Sequence, residues 1–138
     1  MKILMDTNIA LDHLLKREPF CREAEKIIGL THGGVDVFLS ASSITDVYYI
    51  MRKVLGDKDS AMALLESLLR AIGVATVSDV EIRRAIVLGW DDFEDAVQYA
   101  SGESLEVDYV VTRNRGDFAS ARLPVVTPEE MIGLLLKG

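Results

Sequence analysis

Two kinds of hydrophobic pattern alternate along the chain and predict its secondary structure. Short apolar runs, rich in β-branched or aromatic residues, are typical of strands that are covered on both faces. These runs occupy residues 3–5, 35–40, 74–77, 109–112 and 125–127. Apolar residues recur at helical spacing over residues 9–16, 19–30, 44–55, 60–72, 80–88, 93–100 and 128–137. The alternation predicts an α/β fold with a parallel central sheet of about five strands.

Helix-capping residues support these boundaries. Ser78 with Glu81, and Thr127 with Glu130, have the spacing of a capping box, in which side chains and backbone N–H groups pair at a helix start. Pro128 occupies a first-turn position, where its missing N–H does little harm. No proline-rich linker, repeat or low-complexity tract divides the sequence. We therefore expect a single domain over residues 1–138.

The composition is that of a chain that can bury a core without covalent help. Its 138 residues are 49% hydrophobic. The single cysteine cannot form an internal disulfide, and the two histidines lie outside zinc-binding spacings. The start lacks the pattern of a signal peptide, and no apolar stretch approaches the roughly 18 residues that suggest a membrane span. We expect a reduced, cytoplasmic protein without a membrane segment.

The formal charge of −7 and the pI near 4.8 argue against broad electrostatic attraction to a polyanion. The excess lies in the second half, where residues 70–138 hold 7 basic and 12 acidic side chains. Within that half, Asp91, Asp92, Glu94 and Asp95 fall in five consecutive positions. Such charge density is costly unless solvent or a cation relieves it. Solvated surface is the more frequent explanation of a cluster of this kind.

Four aspartates lie where a parallel sheet would bring them to one edge. Asp6 ends the first predicted strand, and Asp46 falls in the first turn of the helix predicted after the second. Asp95 lies early in the helix predicted from residue 93, and Asp117 follows the fourth strand. Because ligands of open α/β sheets bind outside the carboxyl ends of the strands, we expect these carboxylates to line one crevice.

The mutual repulsion of such carboxylates requires a cation, and ligation by oxygen alone favours Mg²⁺ or Mn²⁺. An ion of this kind polarises a phosphodiester and helps to ionise an attacking water. Gly33 and Gly34 do not form a phosphate-binding loop, because the lysine and hydroxyl residue that should follow are absent. A metal-dependent hydrolase is therefore the leading interpretation. A phosphotransferase that uses Asp6 as a covalent acceptor fits poorly, since no second aspartate follows closely.

Three segments carry a resemblance to a known family. They are Asp6-Thr7-Asn8, residues 92–100 and residues 109–118, in this order and at this spacing. Together they resemble the PIN domain, a family of metal-dependent ribonucleases, and in particular the small single-domain toxins of VapC type. The resemblance implies a three-layer α/β/α sandwich, dependence on Mg²⁺ or Mn²⁺ and cleavage of single-stranded RNA. It also implies a homodimer and a cognate antitoxin that holds the toxin inactive.

The resemblance also assigns roles to residues. Four aspartates would form the catalytic metal site: Asp6, Asp46, Asp95 and Asp117. Other residues would orient the ligands or contact phosphate: Thr7, Asn8, Thr112, Asn114, Arg113 and Arg115. Two positions depart from the family pattern, since Asp46 replaces the commoner glutamate and Asn114 replaces a common aspartate. These departures motivate an alternative function, a catalytically inactive PIN-like module that binds a protein partner or RNA.

Several of these residues also have simpler structural explanations. Asp6 is suited to cap the first helix, and Ser43-x-x-Asp46 is itself a capping-box pattern. Asp95 is a charge that the helix dipole favours near a helix start. Trp90 is interpreted as an anchor for a helix end and not as a base-stacking residue.

Overall fold

The five strands form one parallel sheet in the order β3-β2-β1-β4-β5. The computed structural model describes residues 1–137. The strands are β1 Lys2–Met5, β2 Asp36–Ser40, β3 Gly73–Ala75, β4 Tyr109–Val111 and β5 Val125–Val126. The α-helices are α1 Thr7–Leu14, α2 Cys21–Gly29, α3 Ala41–Leu55, α4 Lys58–Ala71, α5 Asp79–Leu88, α6 Phe93–Leu105 and α7 Pro128–Lys137. Two short 3-10 helices span Leu30–Gly33 and Arg115–Phe118. The predicted parallel five-stranded sheet is confirmed.

Helices cover both faces of the sheet because successive strand residues point to opposite sides. Ile3 and Met5 are buried in the larger core, with side chains from α1, α2, α3, α4 and α7. Leu4 points to the opposite face, where it packs in a second core with Tyr99 of α6. The three-layer α/β/α sandwich is therefore confirmed. Within residues 1–137, every helix falls short of the length and apolar character that crossing a membrane requires.

The order of the strands creates a crevice at the carboxyl ends of β1 and β4. From β1 the chain moves outward to β2 and β3, and it then returns to place β4 on the other side of β1. Ile3 is paired with Val37 of β2 on one side and with Tyr109 of β4 on the other. The direction of winding thus reverses between β1 and β4. In open α/β sheets, this switch point is where ligands bind.

Some helix boundaries differ from the predictions. Both predicted capping boxes are confirmed, at the starts of α5 and α7. The start of α3 is three residues earlier than predicted, because β2 runs directly into it and the Ser40 hydroxyl accepts the Ser42 N–H at 3.4 Å. The capping-box explanation of Ser43 and Asp46 is therefore wrong. Asp46 lies in the second turn of α3 and not in the first.

Candidate active site

A cavity of about 670 Å³ at the switch point is lined by all four predicted aspartates. They are Asp6, Asp46, Asp95 and Asp117. In the same order, these aspartates lie directly after β1, in the second turn of α3, in the first turn of α6 and in the 3-10 helix after β4. The acidic wall of the cavity also includes Asp92 and Glu94, which the resemblance did not single out.

Asp6 lies at the N-cap position of α1 but does not cap it. Its backbone is extended, with φ −66° and ψ 151°, and its side chain makes no cap hydrogen bond. Instead, the Thr112 hydroxyl donates to Asp6 Oδ2 at 3.0 Å. Burial raises the pKa of the Asp6 carboxyl, and the charge of Asp117 raises it further, while the hydrogen bond from Thr112 partly offsets both. Asp6 is thus a buried carboxylate held towards the cavity by the neighbouring strand.

Asp95 lies in the first turn of α6, which Asp92 caps. The Asp92 carboxylate accepts the Asp95 N–H at 3.1 Å, so the Asp95 side chain is not needed as a cap. Burial is the largest of the effects that raise the pKa of Asp95 to about 7, followed by the charges of Asp92, Asp6, Asp117 and Glu94. Like charges that act on each other in this way mark a carboxylate cluster. Asp6, Asp95 and Asp117 therefore form an electrostatically coupled group.

Asp117 and Asp46 are the more exposed members of the four. Asn114 Nδ2 donates to Asp117 Oδ1 at 3.1 Å, so the amide of Asn114 orients this carboxylate. Asp46 lines the cavity from α3 but is not among the charges that raise the pKa of Asp6 or Asp95. Asp46 is consequently the member least coupled to the rest.

The donors suit a hard divalent cation. Carboxylate oxygens are the ligands that Mg²⁺ and Mn²⁺ prefer, and a cation would relieve the repulsion that raises the pKa of Asp95. Within residues 1–137, no three acidic, histidine or cysteine side chains stand in an arrangement that holds a metal ion. Mg²⁺ commonly keeps several waters and uses only one or two carboxylates. The site therefore fits an ion bound directly by one or two aspartates and through water by the others.

Gln98 and Ser43, which the sequence interpretation did not assign to the site, contact residues of the cavity wall. Gln98 Oε1 accepts the Thr7 N–H at 3.3 Å, and the Gln98 side chain contributes to lowering the pKa of the Asp6 carboxyl against the larger effect of burial. The Thr7 hydroxyl donates to Ser43 Oγ at 2.6 Å, which joins α1 to α3. Gln98 follows Asp95 by three residues on α6, and this spacing places both on one helix face. That spacing is the signal that would have identified Gln98.

The predicted phosphate contacts do not lie at this cavity. Arg113 Nε donates to the buried Asp12 at 2.8 Å, and its guanidinium stacks 4.0 Å from the ring centre of Phe20. Arg115 pairs with Glu130 at 3.3 Å. Neither arginine is among the residues that line the acidic cavity. Their contact with phosphate stays a prediction. To reach a phosphate in this cavity, the two side chains would have to leave their present ion pairs.

Comparison with known proteins supports the resemblance. A family model for the PIN domain matches residues 2–116. The fold is similar to VapBC2 from Rickettsia felis bound to promoter DNA, with 14% identity, 92% and 98% of the two chains covered, and a TM-score of 0.71. It is also similar to DNA-bound VapBC from Salmonella typhimurium, with 15% identity, 93% and 98% coverage, and a TM-score of 0.73.

A further similar structure is a toxin-antitoxin complex from Klebsiella pneumoniae, with 26% identity, 91% and 97% of the two chains covered, and a TM-score of 0.67. No curated protein gave a significant match to the sequence. The model for the PIN domain nevertheless spans most of the chain, and the fold agrees with it over nearly its whole length. This chain therefore belongs to the PIN domain family.

Proposed function

We propose that this protein is a metal-dependent endoribonuclease, and that it is the toxin of a type II toxin-antitoxin pair. The observation that carries the proposal is the convergence of four aspartates on one cavity at the switch point of a PIN-domain sheet. RNA as the substrate agrees with the cytoplasmic location predicted from the sequence. Among the described residues that line this cavity there is no cysteine, histidine or lysine, and the hydroxyls of Thr7, Ser42 and Ser43 hydrogen-bond to other hydroxyls, which favours attack by water.

The residues of the site have different roles in the proposed hydrolysis. A bound Mg²⁺ or Mn²⁺ would polarise the phosphodiester and lower the pKa of a water that attacks phosphorus. Asp6 and Asp95 would be the direct ligands, with Asp117 and Asp46 acting directly or through water. The Thr112 hydroxyl keeps the Asp6 carboxylate oriented, and Gln98 holds the backbone of the adjacent Thr7.

The relatives and the exposed surface support the proposed partners. The similar solved structures from Klebsiella pneumoniae and Salmonella typhimurium are toxin-antitoxin and VapBC assemblies, which supports an antitoxin as the cognate partner. Large apolar side chains on α3 and α5 remain exposed, among them Val54 at 63%, Ile86 at 64% and Val87 at 75%. Exposed apolar surface of this kind is suited to a protein interface. We propose that the antitoxin and a second copy of this chain use such surfaces.

Replacement of one ligand tests the nuclease proposal. Asp6→Asn should reduce Mn²⁺-stimulated cleavage of single-stranded RNA by more than about 100-fold, because a neutral amide binds the ion poorly. Its folding stability should be equal to that of the wild type or greater, since one repelling charge is lost. Asp36→Asn is the matched control, because Asp36 is exposed at the opposite end of a neighbouring strand. Full cleavage by purified Asp6→Asn would refute the assignment.

Metal titration separates the nuclease from the inactive module. Calorimetry of the wild type with Mg²⁺ and Mn²⁺ should show binding in the millimolar range or tighter, and Asp6→Asn should lose it. If the wild type binds neither ion, the replacements at Asp46 and Asn114 gain importance, and a module that binds only a partner becomes the better description.

A further inference from the structure

The sequence interpretation made Trp90 an anchor for a helix end; from the structure, we propose instead that Trp90 forms a stacking subsite for an unpaired nucleobase beside the acidic cavity. The substrate class rests on the proposed nuclease function, whereas the subsite itself rests on a second cavity. That cavity has a volume of about 470 Å³ and is lined by Trp90, which lies at the start of the connection from α5 to α6. It shares Asp92, Asp95 and Asp117 with the first cavity. The two cavities therefore meet at the carboxylate cluster.

The Trp90 ring is held in place by its neighbours. Tyr99 packs against it with ring centroids 4.9 Å apart and an interplanar angle of 36°, and Phe118 meets it edge-on at 5.8 Å and 83°. Tyr99 is itself fixed, because its hydroxyl oxygen accepts the N–H groups of Arg122 at 2.9 Å and Leu123 at 3.2 Å. Trp90 is only partly buried, and it is among the residues that line the second cavity. A ring fixed in advance loses little freedom when a ligand stacks on it.

The charges of the two cavities indicate which part of a nucleic acid can occupy them. Among the described residues that line either cavity, none is lysine or arginine, while Asp91, Asp92 and Asp95 contribute negative charge to the second. A phosphate group is repelled by such a wall unless a metal ion lies beside it. An uncharged base avoids this repulsion, and every base has a flat face that stacks on an aromatic ring. The second cavity therefore suits a base and not a phosphate.

The shared aspartates relate the subsite to the reaction. A phosphodiester held at the carboxylate cluster has one nucleotide on each side. Because the two cavities extend from that cluster, one neighbouring nucleotide can enter the cavity of Trp90. A base within a duplex is already stacked on its neighbours, so only an unpaired base is free to do so. The geometry thus assigns Trp90 a role in selecting unpaired substrate.

The fluorescence of Trp90 tests this proposal directly, because it is the only tryptophan of the chain. The wild type is titrated with phosphorothioate-linked oligoadenylate of about ten nucleotides, which resists cleavage, and separately with a phosphorothioate-linked abasic oligomer of equal length and charge, both in Mg²⁺. A gel run afterwards establishes that the oligomers stay intact. We expect oligoadenylate to quench the fluorescence in a saturable way, and the abasic oligomer not to. Equal quenching by both, or no quenching by either, would overturn the proposal.

Substitutions then measure how much the ring contributes. Trp90→Leu should weaken oligoadenylate binding, followed by a labelled oligomer, by about tenfold, whereas Trp90→Phe should lose only about threefold. Phe93→Leu is the matched control, because Phe93 is an exposed aromatic residue outside both cavities. Unchanged binding by a folded Trp90→Leu would overturn the proposal. If that variant does not fold, the wild-type titration and Trp90→Phe still decide.

A failure of the Trp90 subsite can be distinguished from a failure of the nuclease proposal. If Trp90→Leu cleaves RNA with an unchanged KM while Asp6→Asn is inactive, the nuclease stands and the subsite is refuted. If the wild type shows base-dependent quenching but no cleavage, the subsite stands and the nuclease is refuted.

Discussion

Replacement of Asp95 by asparagine should stabilise the metal-free protein at pH 8. Burial and the neighbouring carboxylates raise the pKa of Asp95 from an ordinary value of 3.8 to about 7. A carboxyl whose pKa is raised by folding stabilises the folded state while it is protonated. That contribution is complete below pH 3.8 and is lost as the pH rises through about 7. At pH 8, an ionised Asp95 therefore destabilises the folded protein, and a neutral asparagine does not.

The size of the effect follows from the pKa shift after a correction for solvent. A difference of about three pKa units corresponds to about 4 kcal/mol in full. Asp95 is only partly buried, so water and salt screen these charges, and we reduce the expectation to about 1–2 kcal/mol. The asparagine also gives up a favourable interaction with the dipole of α6, which costs about 0.3–1 kcal/mol. The net gain at pH 8 should be about 1 kcal/mol.

Urea unfolding in EDTA, followed by Trp90 fluorescence, measures this gain. The advantage of Asp95→Asn over the wild type should be clear at pH 8 and smaller at pH 5. Asp91→Asn is the control, because Asp91 is exposed and is not among the charges that raise the pKa of Asp95. Its effect should stay within about 0.5 kcal/mol. An Asp95→Asn variant less stable than the wild type at pH 8, or a gain that does not change with pH, would refute the reasoning.

Two further predictions concern the packing that supports the site, and urea unfolding checks both. Tyr99→Phe should cost about 1–2 kcal/mol, because two backbone N–H groups lose their shared acceptor, and unchanged stability would contradict the importance of that hydroxyl. Gly102→Ala should lower the free energy of unfolding by about 1–3 kcal/mol, because the added Cβ would lie 3.0 Å from Leu4 Cδ2. Gly29→Ala is the control and should be nearly neutral, because a Cβ added there meets nothing within 4 Å. Equal effects of the two glycine substitutions would show that α6 shifts freely.

The strands of the sheet could be predicted from the sequence because buried parallel strands have a strong apolar pattern. The positions of helix ends were predicted less well. The helical pattern predicted that α6 ends at residue 100, and Ser101 and Gly102, which follow it, are poor helix formers. It continues to Leu105, since Gly102 allows the close approach of Leu4 and Val107. At the start of α3, serines at positions 40, 42 and 43 offer similar capping chemistry. Only the course of β2 decides that Ser40 is the N-cap.

Site residues that directly follow a strand could be predicted from the sequence. Site residues whose position depends on contacts with distant parts of the chain were harder to predict. Asp6 follows β1 directly, so its place at the switch point follows from the strand order. The pair of Arg113 and Asp12 joins residues 101 positions apart, and no local pattern reveals it. Gln98 lies between these cases, because its spacing from Asp95 is a local signal, but its contact with Thr7 depends on how α6 lies against the start of α1.

The ion pair between Arg113 and Asp12 bears on the RNA binding that is proposed for this protein. Because Asp12 holds this guanidinium away from the acidic cavity, no lysine or arginine among the described residues lines that cavity. The metal-free site therefore repels phosphate, and the repulsion adds to the overall charge of −7. In the proposed nuclease, a divalent ion at Asp6 and Asp95 would relieve the repulsion between carboxylates and would supply the positive charge that a phosphodiester requires. Metal binding and substrate binding should accordingly be coupled, and each should strengthen the other.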